Sequence, residues 1–190
     1  MNARPVDDAF PALVVHPDRV LFRVHRHSND PVHFSASGHG RFDLVGVPSV
    51  GTCYLAPSPL GAYLETLGRL GTISWDDIEE RRLSELTLAR PLRLADLTAR
   101  SILGRYGLAG DISSGTDYRP SQTLAGTLYE LGFDGIYYTA RHDPAFLERS
   151  VAVFGAAGGH KLFTASTAPI PALLVDQAAR EFDLLVLPPP

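Results

Sequence analysis

The sequence predicts an α+β fold, and three observations carry that prediction. Short apolar stretches at 19–24, 52–55, 83–88, 91–97, 136–140 and 150–154 read as strands. Apolar residues recurring at three- and four-residue spacing over 59–67 and 121–131 read as helices. The elements run strands, helix, strands, helix, strands, which is not the regular alternation of a doubly wound parallel sheet.

The chain has 190 residues, 45% of them hydrophobic and 20% charged, the balance of one soluble globular domain with a real core. Residues 1–18 are mixed in character and contain three prolines, so they are expected to form a loose N-terminal arm ahead of a domain over 19–190. Lys and Arg number 17 against 21 Asp and Glu, a net charge of −4, which argues against general nucleic-acid binding. The one cysteine, Cys53, lies in an apolar run and reads as a small core residue in a reducing, cytoplasmic setting. No charged-then-apolar leader opens the sequence and no apolar run reaches membrane-spanning length.

In the first strand, 19–24, alternation puts Arg23 on the face opposite Phe22. A polar stretch, 25–40, ends in Gly38-His39-Gly40-Arg41, and an extended piece begins at 41–43. Two glycines beside a guanidinium suit a phosphate, with exposed backbone N–H groups to hold it; a plain surface turn is the competing reading. The strand 52–55 carries Tyr54 and leads into a Pro-Ser-Pro corner. There Ser58 is the expected N-cap and Pro59 suits the first helical position.

In the helix 59–67, Leu60, Tyr63, Leu64 and Leu67 share the core face. Glu65 leaves from another side, with Gly61, Ala62, Gly68 and Arg69 as its helical neighbours. Three of those four are tiny, so a ligand can approach the carboxylate, and Gly61 is expected to border the approach. The alternatives are an i, i+4 ion pair of Glu65 with Arg69 and a C-cap at Gly68. Further on, 75–82 reads as a charged surface helix, 83–88 and 91–97 as strands, and 98 to 104 or 107 as a short helix. A loop at 110–120 precedes the helix 121–131, whose core face is Leu124, Leu128 and Leu131. After the strands 136–140 and 150–154 come a glycine-rich connection at 155–159, a strand at 161–164, a helix at 176–182 and a last strand at 184–187.

The chain lacks the Gly-x-Gly-x-x-Gly, Gly-Lys-Ser/Thr, His-Glu-x-x-His and Gly-x-Ser-x-Gly motifs. His25 and His27 have His-x-His spacing, but no cysteine or tightly spaced carboxylate completes a tetrahedral metal site, and no metal is expected. What remains is Arg23, Arg41, Tyr54 and Glu65. Guanidinium groups bind phosphates bidentately, a tyrosine face stacks on a heterocycle, and a carboxylate stabilises the positive charge that develops when a glycosidic bond opens. Together they suit cleavage of NAD at its nicotinamide–ribose bond.

These residues carry a family resemblance. The pieces are Leu21-Phe22-Arg23-Val24, Gly38-His39-Gly40-Arg41-Phe42-Asp43, Cys53-Tyr54-Leu55-Ala56 followed by Glu65, Asp117-Tyr118 with Ser121-Gln122, Gly132-Phe133-Asp134-Gly135-Ile136-Tyr137-Tyr138, and the strand 151–154. In this order and spacing the chain resembles RES-domain proteins, named for an Arg, a Glu and a Ser and commonly toxins of bacterial toxin–antitoxin pairs. The resemblance implies an ADP-ribosyltransferase-like split β-core flanked by helices. It also implies loss of NAD by hydrolysis or phosphorolysis.

On that resemblance Glu65, Arg23 and Tyr54 form the catalytic set: Glu65 acts on the scissile ribose, Arg23 with Arg41 holds the pyrophosphate or ribose side, and Tyr54 stacks on the nicotinamide. Arg41, Thr139, Ser121 and Tyr118 are the expected substrate-binding residues. The family serine has two candidate positions: Thr139 follows Tyr138 where some members carry it, and Arg119 follows Tyr118 where others do, with Ser121 two residues on. Ser121 also reads as a helix cap. NAD is a substrate, so no cofactor is implied; inorganic phosphate is a candidate co-substrate. An Xre-type antitoxin is the implied partner, a homo-oligomer is compatible, and neither nucleic acid nor membrane is expected. Transfer of ADP-ribose to a protein, or a binding domain that has lost the chemistry, remain the alternatives.

Overall fold

The computed structural model describes residues 4–159 and 161–188. The first three residues of the expected arm and the last two prolines lie outside them. The fold is α+β, with a split β-core.

The larger sheet contains β1 (Ala12–Val15), β7 (Leu92–Asp96), β8 (Gly135–Thr139), β9 (Arg149–Ala156) and β4 (Val50–Leu55), in that order. All its pairings are antiparallel except β7 with β8. The smaller sheet runs β11 (Phe163–Pro169), β6 (Arg81–Leu88), β2 (Val20–Arg26), antiparallel throughout. Two minor pairs, β3 (His33–Phe34) with β10 (Gly158–Gly159) and β5 (Thr72–Ile73) with β12 (Leu185–Val186), complete the strands. The two sheets touch edge to edge where Phe22 exchanges backbone hydrogen bonds with Ala56, at 2.7 and 2.9 Å.

The helix over 59–67 forms as expected. In α1 (Pro59–Leu67) the Ser58 hydroxyl accepts from Gly61 N–H, and Pro59 occupies the first turn, where an N–H is not needed. Leu60, Tyr63, Leu64 and Leu67 are all buried. They pack with Val24 and Leu83 of the smaller sheet and with Leu174 of α6 (Ala172–Phe182). Between the sheets lies a second cluster, including Leu21 and Leu86 from one and Cys53, Leu94 and Val153 from the other. A third sits under α5 (Arg119–Glu130), where Leu124 and Leu128 meet Ile136 and Ala152.

Several expectations are corrected. Residues 12–15 of the expected loose arm form β1, paired with β7 along its whole length. Residues 41–43 are a turn, with Asp43 N–H bonded to the Gly40 carbonyl. The charged helix stops early, as α2 (Trp75–Glu79), and Arg81 and Arg82 begin β6. Pairing on both edges of β6 outweighs the local charge pattern; Arg81 is buried, yet its guanidinium still reaches back to Asp77. The short helix expected from 98 is α3 (Ser101–Tyr106), closed by left-handed Gly107. The loop at 110–120 contains one turn of helix, α4 (Asp111–Ser114).

Candidate active site

Where the two sheets diverge, a cavity of about 660 Å³ opens between β2, β4, α1, the 38–43 turn and the segment after β8. Arg23, Arg41, Tyr54, Glu65 and Tyr118, five of the seven site residues expected from sequence, line it. Thr139 and Ser121 do not. Thr139 follows Tyr138 on a strand, so it projects to the opposite face and lines a second cavity. Ser121 lies inside the first turn of α5, buried, with its hydroxyl donating to the Tyr118 carbonyl at 2.9 Å.

Glu65 is held by two hydroxyls. Tyr138 donates to Oε1 at 3.2 Å and Ser150 donates to Oε2 at 3.0 Å. Tyr138 on β8 and Ser150 on β9 are direct cross-strand partners, which puts both on one face of the sheet, beneath α1. Both are buried. Burial first, and the Glu65 charge next, push the Tyr138 phenol well above its ordinary pKa, so it remains a donor. Glu65 makes no ion pair with Arg69 among the described residues; the tertiary hydroxyls take the place of that local contact. Gly68, the C-cap of α1, lines the cavity with Ala62 and Arg69, whereas Gly61 does not. A Cβ on Gly61 would stand 2.8 Å from Glu148 Oε2 and 3.0 Å from Ser58 Oγ, so its smallness serves packing at the head of the helix.

The 38–43 turn is bound from both sides. Asp43 is buried; its carboxylate accepts from Gly40 N–H at 2.9 Å and from the Tyr54 hydroxyl at 2.9 Å. The Tyr54 oxygen in turn accepts from Phe42 N–H at 2.9 Å. From α5, Gln122 donates to the carbonyls of Gly38 and Gly40, each at 2.9 Å. The Ser37 hydroxyl takes the His39 N–H at 3.3 Å. The His39 and Gly40 N–H groups are therefore occupied within the turn and are not free to cradle a phosphate, contrary to the expectation for this glycine turn. Gly40 has a steric reason: a Cβ there would meet Asp43 Oδ1 and Tyr54 Oη, each at 2.4 Å.

Arg41 is itself buried. It donates to the Gly115 carbonyl at 2.7 Å, and its guanidinium carbon lies 4.5 Å from the Tyr118 ring centroid. Burial lowers its pKa, an effect that an anionic ligand would offset. Arg23 donates through Nη1 to the carbonyls of Pro31 (2.7 Å) and His33 (3.1 Å) and to Cys53 Sγ (3.3 Å). It thus braces the 31–33 backbone while bordering the cavity. Arg23, Arg41, Arg69 and Arg141 all line the cavity, Glu65 is its one carboxylate, and none of the four arginines forms an ion pair among the described residues. The field is one for an anion. His142 lies in the same wall; burial lowers its pKa, opposed by Glu65 and assisted by Arg141, Arg69 and Arg41.

Sequence reasoning assigned no role to Ser150, Tyr138, Gln122, Arg141 or His142. Ser150 left one trace, a hydroxyl at the head of an otherwise apolar strand. Arg141 and His142 gave none, because only the end of β8 brings them to α1. His25 is no metal ligand candidate: its ring nitrogens contact Ser84 Oγ at 2.8 Å and the Arg26 carbonyl at 2.9 Å. Among the described residues no group of three His, Cys, Asp or Glu is placed to hold a metal.

The RES domain family model matches residues 20–176. Among solved structures, the chain is similar to one described as the crystal structure of the M. tuberculosis MbcT–MbcA toxin–antitoxin complex. The TM-score is 0.63 and the identity 20%, over 85% of this chain and 89% of that one, a likeness of fold. No curated protein matches the chain in sequence.

Proposed function

The chain belongs to the RES-domain family, and from that premise we propose that it degrades NAD at the nicotinamide–ribose bond as the toxin of a toxin–antitoxin pair. The observation that carries the proposal is Glu65, held by Tyr138 and Ser150 in a cavity bordered by four arginines.

The arginines bind the pyrophosphate, with Arg41 and Arg23 nearest their expected roles. The Tyr54 hydroxyl is already engaged with Asp43 and Phe42, so its ring is what it offers the nicotinamide. As the C–N bond breaks, its electron pair leaves with nicotinamide and positive charge develops on the ribose C1 and its ring oxygen. Glu65, accepting two hydroxyl hydrogen bonds and fixed in place, stabilises that charge. Water then forms the new C1–O bond and loses a proton, giving ADP-ribose; phosphate instead gives ADP-ribose 1″-phosphate. Ser150 takes the place of Thr139 and Ser121 as the hydroxyl beside the carboxylate. By the same reading the protein works in the cytoplasm and an Xre-type antitoxin is its partner.

Incubating purified protein with NAD, with and without inorganic phosphate, and resolving the products tests the reading. Release of nicotinamide with either ADP-ribose product supports it. ADP-ribose found only on protein would turn it into a transferase, and binding without turnover would leave a binding domain.

A further inference from the structure

A second cavity, of about 610 Å³, lies beside the first. It falls in the size range of small-molecule sites, roughly 300–1,000 Å³. Its walls are mostly apolar, with Leu103 of α3, Ile112 of α4 and Phe146 among them, and a few hydroxyls, including those of Ser114 and Thr139. The two cavities share one wall residue, and a hydrogen bond links their walls at a second place. Arg141 lines both. Arg41, in the wall of the first, hydrogen-bonds the Gly115 carbonyl, one residue beyond Ser114 in the wall of the second.

Phe146 is presented to this cavity by a strained turn. Its φ is +55°, a left-handed conformation that aromatic side chains rarely adopt. The turn is wound on Asp143, whose carboxylate accepts from the N–H groups of Ala145, Leu147 and Glu148 at 2.9, 2.6 and 2.7 Å, while Phe146 N–H donates to the Asp143 carbonyl at 3.0 Å. A ring held in a strained, over-determined turn at the mouth of an apolar cavity is the kind of feature that marks a ligand contact. Leu103, on the same rim, is 61% exposed.

We infer that the second cavity binds the purine nucleoside half of the dinucleotide, with Arg141 and Arg41 on the pyrophosphate between the two cavities. The inference rests on the NAD reading above. A flat heterocycle suits apolar walls with an aromatic ring and a few hydroxyls. At the boundary stand Arg141 and Arg41, two guanidinium groups suited to an intervening pyrophosphate, and Arg100 is a further cation in the wall of the second cavity. Thr139, expected from sequence to contact substrate, then does so at the far end from Glu65.

The test is direct titration of the whole protein with NAD, AMP and nicotinamide mononucleotide, for the wild type and for Leu103→Glu, Phe146→Gly and Leu147→Ser. Leu103→Glu puts a carboxylate at the mouth, and Phe146→Gly removes the ring while relieving the strained φ. Leu147, 78% exposed, lines neither cavity and serves as the control. The first two variants are expected to weaken AMP and NAD about tenfold and leave nicotinamide mononucleotide unchanged. Unchanged AMP affinity, or equal weakening of both mononucleotides, overturns the inference while leaving the NAD reading intact. Wild-type protein that binds neither NAD nor nicotinamide mononucleotide overturns the NAD reading, and the inference with it.

Discussion

Tyr138 and Ser150 face each other across β8 and β9, and each gives its hydroxyl to a different oxygen of Glu65. One cross-strand pair thus fixes both oxygens of a carboxylate carried by a helix from another part of the chain. Ser150→Ala and Tyr138→Phe should each lower kcat for NAD by about 10- to 100-fold with little change in KM, because they release the orientation of Glu65. The double variant should be little worse than the worse single one, since both hydroxyls act through one carboxylate. Steady-state kinetics on the cycle decide it; full kcat in either single variant would remove the hydroxyls from the account.

Tyr63 has a buried hydroxyl with no hydrogen-bond partner among the described residues, in the apolar cluster under α1. Burial drives its pKa to about 12. Tyr63→Phe should therefore stabilise the protein, by about 1 kcal/mol, since a desolvated group with no partner is removed without leaving a hole in the ring packing. Urea unfolding of the two proteins measures this, and a destabilised variant would show that the hydroxyl has a partner in solution.

His25 and His142 both have pKa values lowered from the ordinary 6.5, by burial before any other cause. As pH falls through 6.5 the unfolded chain takes up these protons first, so stability falls with pH down to the folded-state pKa values and then levels off. Above 6.5 the two contribute no pH dependence. Unfolding free energies at pH 7 and pH 5 should differ less in His25→Gln and in His142→Gln than in the wild type. The same drop in all three proteins would place the acid sensitivity elsewhere.

Gly61 contacts the Ser58–Glu148 pair and does not border the cavity. Gly61→Leu should lose stability by about 1–3 kcal/mol through overpacking, with activity falling only as the folded fraction falls. Thermal unfolding alongside kcat on the folded protein separates the two. Loss of kcat at full stability would return Gly61 to the site.

The α1 stretch was legible because its signals are local. Ser58, Pro59 and the spacing of Leu60, Tyr63, Leu64 and Leu67 act within three turns, and the helix has the bounds they predict. The α+β class and four of the lining residues, Arg23, Arg41, Tyr54 and Glu65, were legible from strands, a glycine turn and a helix; Tyr118 came only with the family resemblance. What escaped depends on pairing between distant strands. Ser150 reaches Glu65 only through the β8–β9 register, and Thr139 leaves the site because the same register places Tyr138, and not its neighbour, over the cavity. The 12–15 strand escaped because its pairing partner, β7, lies about eighty residues away, at 92–95.

On the proposed function, Glu65 drives NAD cleavage in an arginine-lined cavity. The most direct measurement is the rate of nicotinamide release from NAD by purified wild-type protein and by Glu65→Gln, which keeps the shape and removes the charge. Release by the wild type and a fall of about 10²–10³-fold in the variant are expected, with its unfolding temperature little changed. Equal rates in the two proteins, or no release by the wild type with or without phosphate, would contradict it.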